Sequence, residues 1–447
     1  MSTSNKPTVL IVGAGLGGLL LGALLEKSDV PYMIFERATT VKPLGSAMAV
    51  GPNLLPILEQ LGIYDEFLTI GKYLTSMTGY KESLVPLKVL DLTPSEEFTG
   101  YGQYIVARPK LYDLILKQVP AHKIHFGHRV LNITEEDGTV TVHLSNNDTI
   151  KGDIIVGADG AYSAVRQRMY EQMMAEGKLP KSDQEELPFS CTCLVGQTNV
   201  LDPKEFPIVA EAQCQFSNLY GNNKPFTAAM AQRFRNSENS EWGEYPAMAM
   251  CEETRNFPIE LLDGKKRTLG DLYDQTPKEY ISKVMLEEKV FTTWHYKRFV
   301  LLGDACHKLY PAGGHGAVTA MHDAIALANL FYAMPAKTSV DITKIFEEYQ
   351  KERLPAVIES YNTSKQLSKI AGRDLVGAFM LYLSVYMPFW LWRLVMARQV
   401  RFRPQVGFIK AVDNKGTVVP AMSMSEQMAR TVFESQRQQT QSAAASI

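Results

Sequence analysis

The chain reads as an α/β protein: a parallel sheet wound with helices, an inserted and mostly antiparallel β-sheet, and a helical C-terminal part. Three observations predict this class. Residues Val9 to Glu36, VLIVGAGLGGLLLGALLEKSDVPYMIFE, run as strand, Gly13-x-Gly15-x-x-Gly18, apolar helix, strand and acid. Two later apolar strands each stop at an Asp beside a Gly, at Asp159-Gly160 and Gly303-Asp304. Between them, from Phe189 to about Phe299, the pattern is mostly β (SCTCLVGQTNV, CQFSNLY, PFTAAMAQRF, AMAMCEE), with helical stretches from about Thr268 to Glu288.

The first unit is a Rossmann-like GxGxxG fingerprint, and each part has a physical task. Gly13 permits the tight turn, Gly15 lets backbone approach a pyrophosphate, and Gly18 lets helix and strand pack closely. Amides at the helix start point the positive end of the helix dipole at the phosphates. Glu36 stands 21 residues after Gly15, the spacing of a carboxylate that accepts from ribose hydroxyls. Further on, LLPILEQLG forms an amphipathic helix closing at Gly62, and Arg108-Pro-Lys-Leu111 opens another, with Pro109 in the first turn. Glu136-Asp137-Gly138 marks a hairpin turn. Long helical patterns cover Gly316 to Ala333 and Thr343 to Ile370. The expected organisation is a first part of the dinucleotide domain at 1–188, the inserted sheet at 189–298, and the second part with its long helix at 299–370. An apolar helical region at 371–425 and a Gln-, Ser- and Ala-rich disordered tail at 426–447 follow.

Composition narrows the function classes. A net charge of −2 gives no field that attracts nucleic acid, and no basic stripe or zinc-finger spacing is present. Five cysteines, odd in number and without C-x-x-C spacing, argue against a disulfide framework or structural zinc and fit a reducing, cytoplasmic setting. The first strand starts so close to Met1 that no signal peptide is expected. Leu375 to Trp392, LVGAFMLYLSVYMPFWLW, carries no charge, and Arg393, Arg398, Arg401 and Arg403 follow it. Three readings stand: a buried helix or pocket wall, an anchor at a membrane surface, or a span at the lower limit of length, with Pro388 breaking the helix.

The order GxGxxG, Asp159-Gly160, Gly303-Asp304, together with Gly51-Pro52-Asn53 and Arg108-x-x-Leu111, resembles the group A flavoprotein monooxygenases, the family of 4-hydroxybenzoate hydroxylase. The likeness covers roughly Val9 to Ala333. It implies FAD as cofactor, with Gly13, Gly15 and Gly18 at the pyrophosphate, Glu36 at the adenosine ribose and Arg37 on the adenine side. Arg108 would contact FAD near the pyrophosphate. Asp159 would help place FAD and the nicotinamide cofactor, or else only cap its own turn. Asp304 would hold the ribityl or pyrophosphate part, and Gly316 and Ala317 would also bind the cofactor. The bend Pro311, Gly314, His315, Gly316 would position the flavin, with the helix start after it stabilising negative charge on the reduced ring. The sequence departs from the family pattern at His315, Val318 and His322, where Gln, Asn and an acid are usual. His315 is read as a tolerated loop residue or a proton donor near the ring, and His307 as structural.

The resemblance further implies NAD(P)H as co-substrate, docked transiently because only one GxGxxG exists. Dioxygen would add at flavin C4a to give a hydroperoxide that hydroxylates or epoxidises a small molecule. An apolar substrate is expected from Phe216, Tyr220, Phe226 and Met230, and an aromatic or isoprenoid one from the apolar C-terminal part, which resembles fungal enzymes of secondary metabolism. The alternative is a flavin oxidase or reductase that inserts no oxygen.

Overall fold

A computed structural model describes residues 6–40, 47–81, 84–202, 211–216, 244–259, 265–310, 314–370 and 375–445. Its centre is a six-stranded sheet built from strands far apart in the chain. In chain order these are β1 (Val9–Val12), β2 (Tyr32–Glu36), β3 (Ile124–Phe126), β4 (Ile154–Gly157), β5 (His295–Tyr296) and β6 (Phe299–Leu301). Their spatial order is β5-β6-β4-β1-β2-β3. All neighbours pair in parallel except the β5–β6 edge hairpin. β1 and β4 are buried along their whole length, as strands covered by helices on both faces must be.

The register makes the strands end level. Val12 lies beside both Gly157 and Phe35, and Gly157 lies beside Leu301. The chain leaves β1 towards β2 on one side, while β4 and β6 lie on the other. The carboxyl ends of these strands therefore flank a topological switch point, the usual ligand crevice of an open α/β sheet.

Helix α1 (Leu16–Lys27) and helix α4 (Gly316–Ala333) pack closely on each other. A Cβ at Gly17 would come within 2.8 Å of Leu302 and 3.3 Å of the Ala320 Cβ, so glycine sets this approach. Helix α2 (Arg108–Leu116) lies against α1, and helix α3 (Ala164–Ala175) follows β4. The 139–144 strand pairs antiparallel with 130–136 through a turn in which Asp137 and Gly138 both take positive φ.

The inserted region is mixed. Phe189–Val195 pairs antiparallel with Ser282–Glu287, a strand where a helical pattern was expected. Glu211–Phe216 pairs in parallel with Ser76–Lys81. The AMAMCEE stretch, expected as β, lies in the helix Glu244–Thr254, which buries Ala247 and Cys251 one turn apart beside Ile281. Tyr220, Phe226 and Met230 lie outside the described residues.

Helix α5 (Ser339–Ile370) contains Pro355. The apolar segment after it is two short helices, α6 (Leu375–Val385) and α7 (Phe389–Gln399), with Pro388 capping the second. Among the described residues no helix is long and apolar enough to cross a membrane, which removes the spanning reading. The buried-helix reading fits one side only: Trp392 and Met396 pack against Phe98 and Val400, while Phe379, Tyr382, Tyr386, Phe389 and Trp390 are exposed. The expected disordered tail needs correction. Met424–Ala445 is a helix, α8, that buries Ala429 and packs Met428, Val432 and Phe433 on the core. Its Gln- and Ala-rich composition suits a helix as well as a coil, and an apolar stripe on its inward face decides the outcome.

Candidate flavin site

The carboxyl edge of the sheet collects Gly13, Glu36, Asp159 and Asp304, each at or just after the end of its strand. Gly13 takes φ 105°, and a Cβ there would meet the Ala158 carbonyl oxygen at 2.4 Å. A Cβ at Gly18 would meet the Gly13 carbonyl oxygen at 2.2 Å. These two glycines are needed by the protein itself. Gly15 is different: nothing lies within 4 Å of the position of its Cβ. Nothing lies within 4 Å of the Cβ positions of Gly160, Gly314 and Gly316 either.

Two helices start at these open positions. α1 is capped by Gly15 and α4 by His315, neither with a side-chain cap or an acid in the first turn. Their first amides are left for an anion or a polarised carbonyl to satisfy. α3 differs, because its N-terminus is filled by protein. Asp159 Oδ2 accepts from the Ala164 amide at 2.7 Å and from the Val165 amide at 3.3 Å, and Ser163 accepts from the Arg166 amide. Asp159 therefore does cap its own turn. Its Oδ1 is nevertheless buried without a partner. Burial pushes this carboxyl up, against the lowering effect of Ser163 and the amides.

Glu36 ties the glycine turn to the end of β2, its two oxygens accepting from the Ala14 and Ala38 amides at 2.9 Å each. Spare lone pairs remain on both. Arg37 is exposed beside it. Arg108 is exposed at the first position of α2, where the helix dipole disfavours a cation. One turn on, Tyr112 is buried with its hydroxyl unpartnered. Burial, and then the nearby Glu36 charge, push its pKa up to about 12. The sequence reading missed Tyr112; an aromatic one turn into a helix looks like ordinary core.

Asp304 is half-buried and accepts from Lys308 at 3.1 Å. The loop that carries it is locked from below. Asp323 Oδ2 accepts from the Gly303 amide at 3.0 Å and from His307 Nε2 at 2.6 Å, and Asp323 Oδ1 accepts from Arg353 Nε at 2.8 Å. Burial would raise this carboxyl, but His307 and Arg353 outweigh it and hold it well below the usual range. Cys306, His307 and Asp323 stand at metal-ligand distances from one another. Both Asp323 oxygens are already engaged, so the cluster acts as an ion-paired anchor. Arg353, 1% exposed, was also missed: it reaches the loop from α5, thirty residues beyond Asp323.

Arg166 joins the other two loops. It donates to the Ala305 carbonyl at 2.7 Å and the Ala161 carbonyl at 2.6 Å, and its guanidinium lies over Phe291. At the start of α4, His315 is half-buried, and burial lowers its pKa. His322 Nε2 donates to the Asn53 carbonyl at 2.9 Å, and burial, with Arg353 next, lowers its pKa to about 3. Val318, where the family has Asn, is a core residue. Ala317 follows Gly316 in the first turn of α4. Pro311 lies outside the described residues.

The bare glycines, uncapped helix starts and orphaned Asp159 oxygen fit a long anionic dinucleotide. A family model described as an FAD binding domain matches residues 6–362. The chain belongs to this family of FAD-dependent monooxygenases. Among its curated relatives is the FAD-dependent monooxygenase ptmM of Penicillium ochrochloron, 29% identical over 83% of this chain and 90% of that protein. Another is the FAD-dependent monooxygenase atmM of Aspergillus flavus, 25% identical over 93% of this chain and 89% of that one. Both are fungal, and relatives of this kind place this FAD monooxygenase with enzymes of secondary metabolism. The fold matches Klebsiella pneumoniae HpxO, solved with FAD and uric acid (TM-score 0.67, 20% identity, 88% of this chain and 96% of that one).

Proposed function

We propose that this FAD monooxygenase consumes NAD(P)H and dioxygen to hydroxylate or epoxidise a lipophilic aromatic or isoprenoid molecule. The observation that carries the reading is the pair of uncapped helix starts, α1 and α4, facing space left open at Gly15, Gly314 and Gly316 on one sheet edge. Bound FAD would supply hydride acceptance and the dioxygen chemistry at C4a; the polypeptide orients it and keeps water away.

Each residue then has a definite task. Gly13 and Gly18 shape the turn, and Gly15 with the first α1 amides receives the pyrophosphate. Glu36, Arg37 and Tyr112 surround the adenosine end, and Arg108 brings positive charge towards the phosphates. Asp159 presents its free oxygen, and Asp304 holds the ribityl side. The amides of Gly316 and Ala317, at the start of α4, would stabilise negative charge on a reduced flavin, a differential effect because the oxidised ring lacks that charge. Burial disfavours the charged form of His315, which suits it to offer a hydrogen bond there.

The test begins with the absorption spectrum of the purified protein and continues with NADH and NADPH oxidation against a panel of prenylated and small polar phenols under labelled dioxygen. Substrate-stimulated oxidation with label in a prenylated product is expected. Turnover of polar phenols alone would reject the substrate class, and cofactor oxidation with no label in any product would point to an oxidase.

A further inference from the structure

The α6–α7 segment carries apolar side chains that the fold does not use. Phe379, Tyr382 and Leu383 on α6 and Tyr386 just after it recur at helical spacing, and all are exposed, Tyr386 to 68%. Phe389, Trp390 and Leu394 on α7 are exposed as well, Trp390 to 67%. The opposite side of α7 is the docked one: Trp392 donates to the Asp91 carbonyl at 2.7 Å, and Met396 packs beside Phe98. Exposed Val85 and Val89 lie nearby, on a hairpin that Lys88 ties to the Met387 carbonyl. Soluble monomers rarely leave so many large side chains together in water.

We propose that this two-helix segment lies in the plane of an anionic lipid surface as a monotopic anchor. Helices of 11 residues, about 16 Å long, cannot cross a hydrocarbon core of about 30 Å, but they can rest in its interface. Tyr and Trp side chains suit that depth. From residue 375 to residue 399 there is no acid, and Arg398 and Arg401 stand exposed at the rim. Arg398 has only a 4.0 Å approach to Glu359. Lipid phosphates complement these arginines.

Flotation of the FAD-loaded full chain tests this, using vesicles of phosphatidylcholine alone and of phosphatidylcholine with phosphatidylserine. The chain is expected to float with both, and about tenfold better with the anionic mixture at low salt, the gain fading as salt rises. Tyr386→Ser, Phe389→Ser and Trp390→Ser combined should cut flotation on both vesicles at least about tenfold, with flavin absorbance and Tm retained. Arg398→Gln with Arg401→Gln should remove only the anionic preference. Should the triple variant fail to fold, quenching of wild-type tryptophan fluorescence by brominated lipid, diminished in Trp390→Phe, reads the same contact. Failure of the wild type to float with either vesicle overturns the proposal. So does equal flotation of the triple variant, or a wild-type dimer in solution that this variant converts to a monomer.

Discussion

The three glycines of one motif are not equivalent. Gly13 is held at positive φ against the Ala158 carbonyl, and Gly18 against the Gly13 carbonyl, whereas Gly15 faces open space. Gly13→Ala is therefore expected to lower the Tm of the cofactor-free protein, while Gly15→Ala should leave that Tm unchanged and weaken FAD at least about tenfold; thermal melts and flavin titration separate the two. Asp323→Asn strands the Arg353 guanidinium in the core, a loss of about 3–5 kcal/mol measurable by denaturant unfolding. The strand-end positions of the glycines, Glu36, Asp159 and Asp304 were legible because backbone geometry fixes their residue types and spacing. Arg353 and Tyr112 were not, since only the packing of distant helices brings them to the site.

At the scale of elements, long amphipathic patterns and glycine turns read true: α4 spans the expected Gly316 to Ala333. Short apolar runs did not, as the helix over AMAMCEE shows, because a run of seven residues fits either period until its neighbours choose. α8 was illegible for a related reason, its composition being dominated by exposed polar residues. It nevertheless clamps the domain. Ser425 donates to Glu352, Tyr332 donates to Gln436 at 2.7 Å, and a Cβ at Gly407 would strike the Arg430 amide nitrogen at 2.4 Å. Truncation after residue 423 should therefore lower both Tm and flavin retention, whereas truncation after residue 438 should change neither; spectra and melts of the two products decide.

Across the whole molecule, acid sensitivity follows from buried neutral imidazoles. Burial lowers His322 to about 3 and His295 to about 4, both below their ordinary 6.5. The unfolded chain therefore binds these protons first. Stability from the two groups is whole above pH 6.5 and drains as pH falls towards 4 and then 3, by up to about 1.4 kcal/mol per pH unit for each. Tm measured across that range should fall, and His322→Gln, which keeps a donor for the Asn53 carbonyl, should flatten the slope. FAD at about a hundred times its Kd should add about 2.7 kcal/mol to unfolding, seen as a raised Tm. The cradle itself is stitched from distant parts: Arg166 grips the loop at Ala305, and Arg353 secures that loop through Asp323. Synthesis reaches Arg353 roughly tens of seconds after the glycine turn at Gly13. Until then the loop that carries Asp304 lacks its anchor, so flavin retention is expected only in nascent chains that extend past α5.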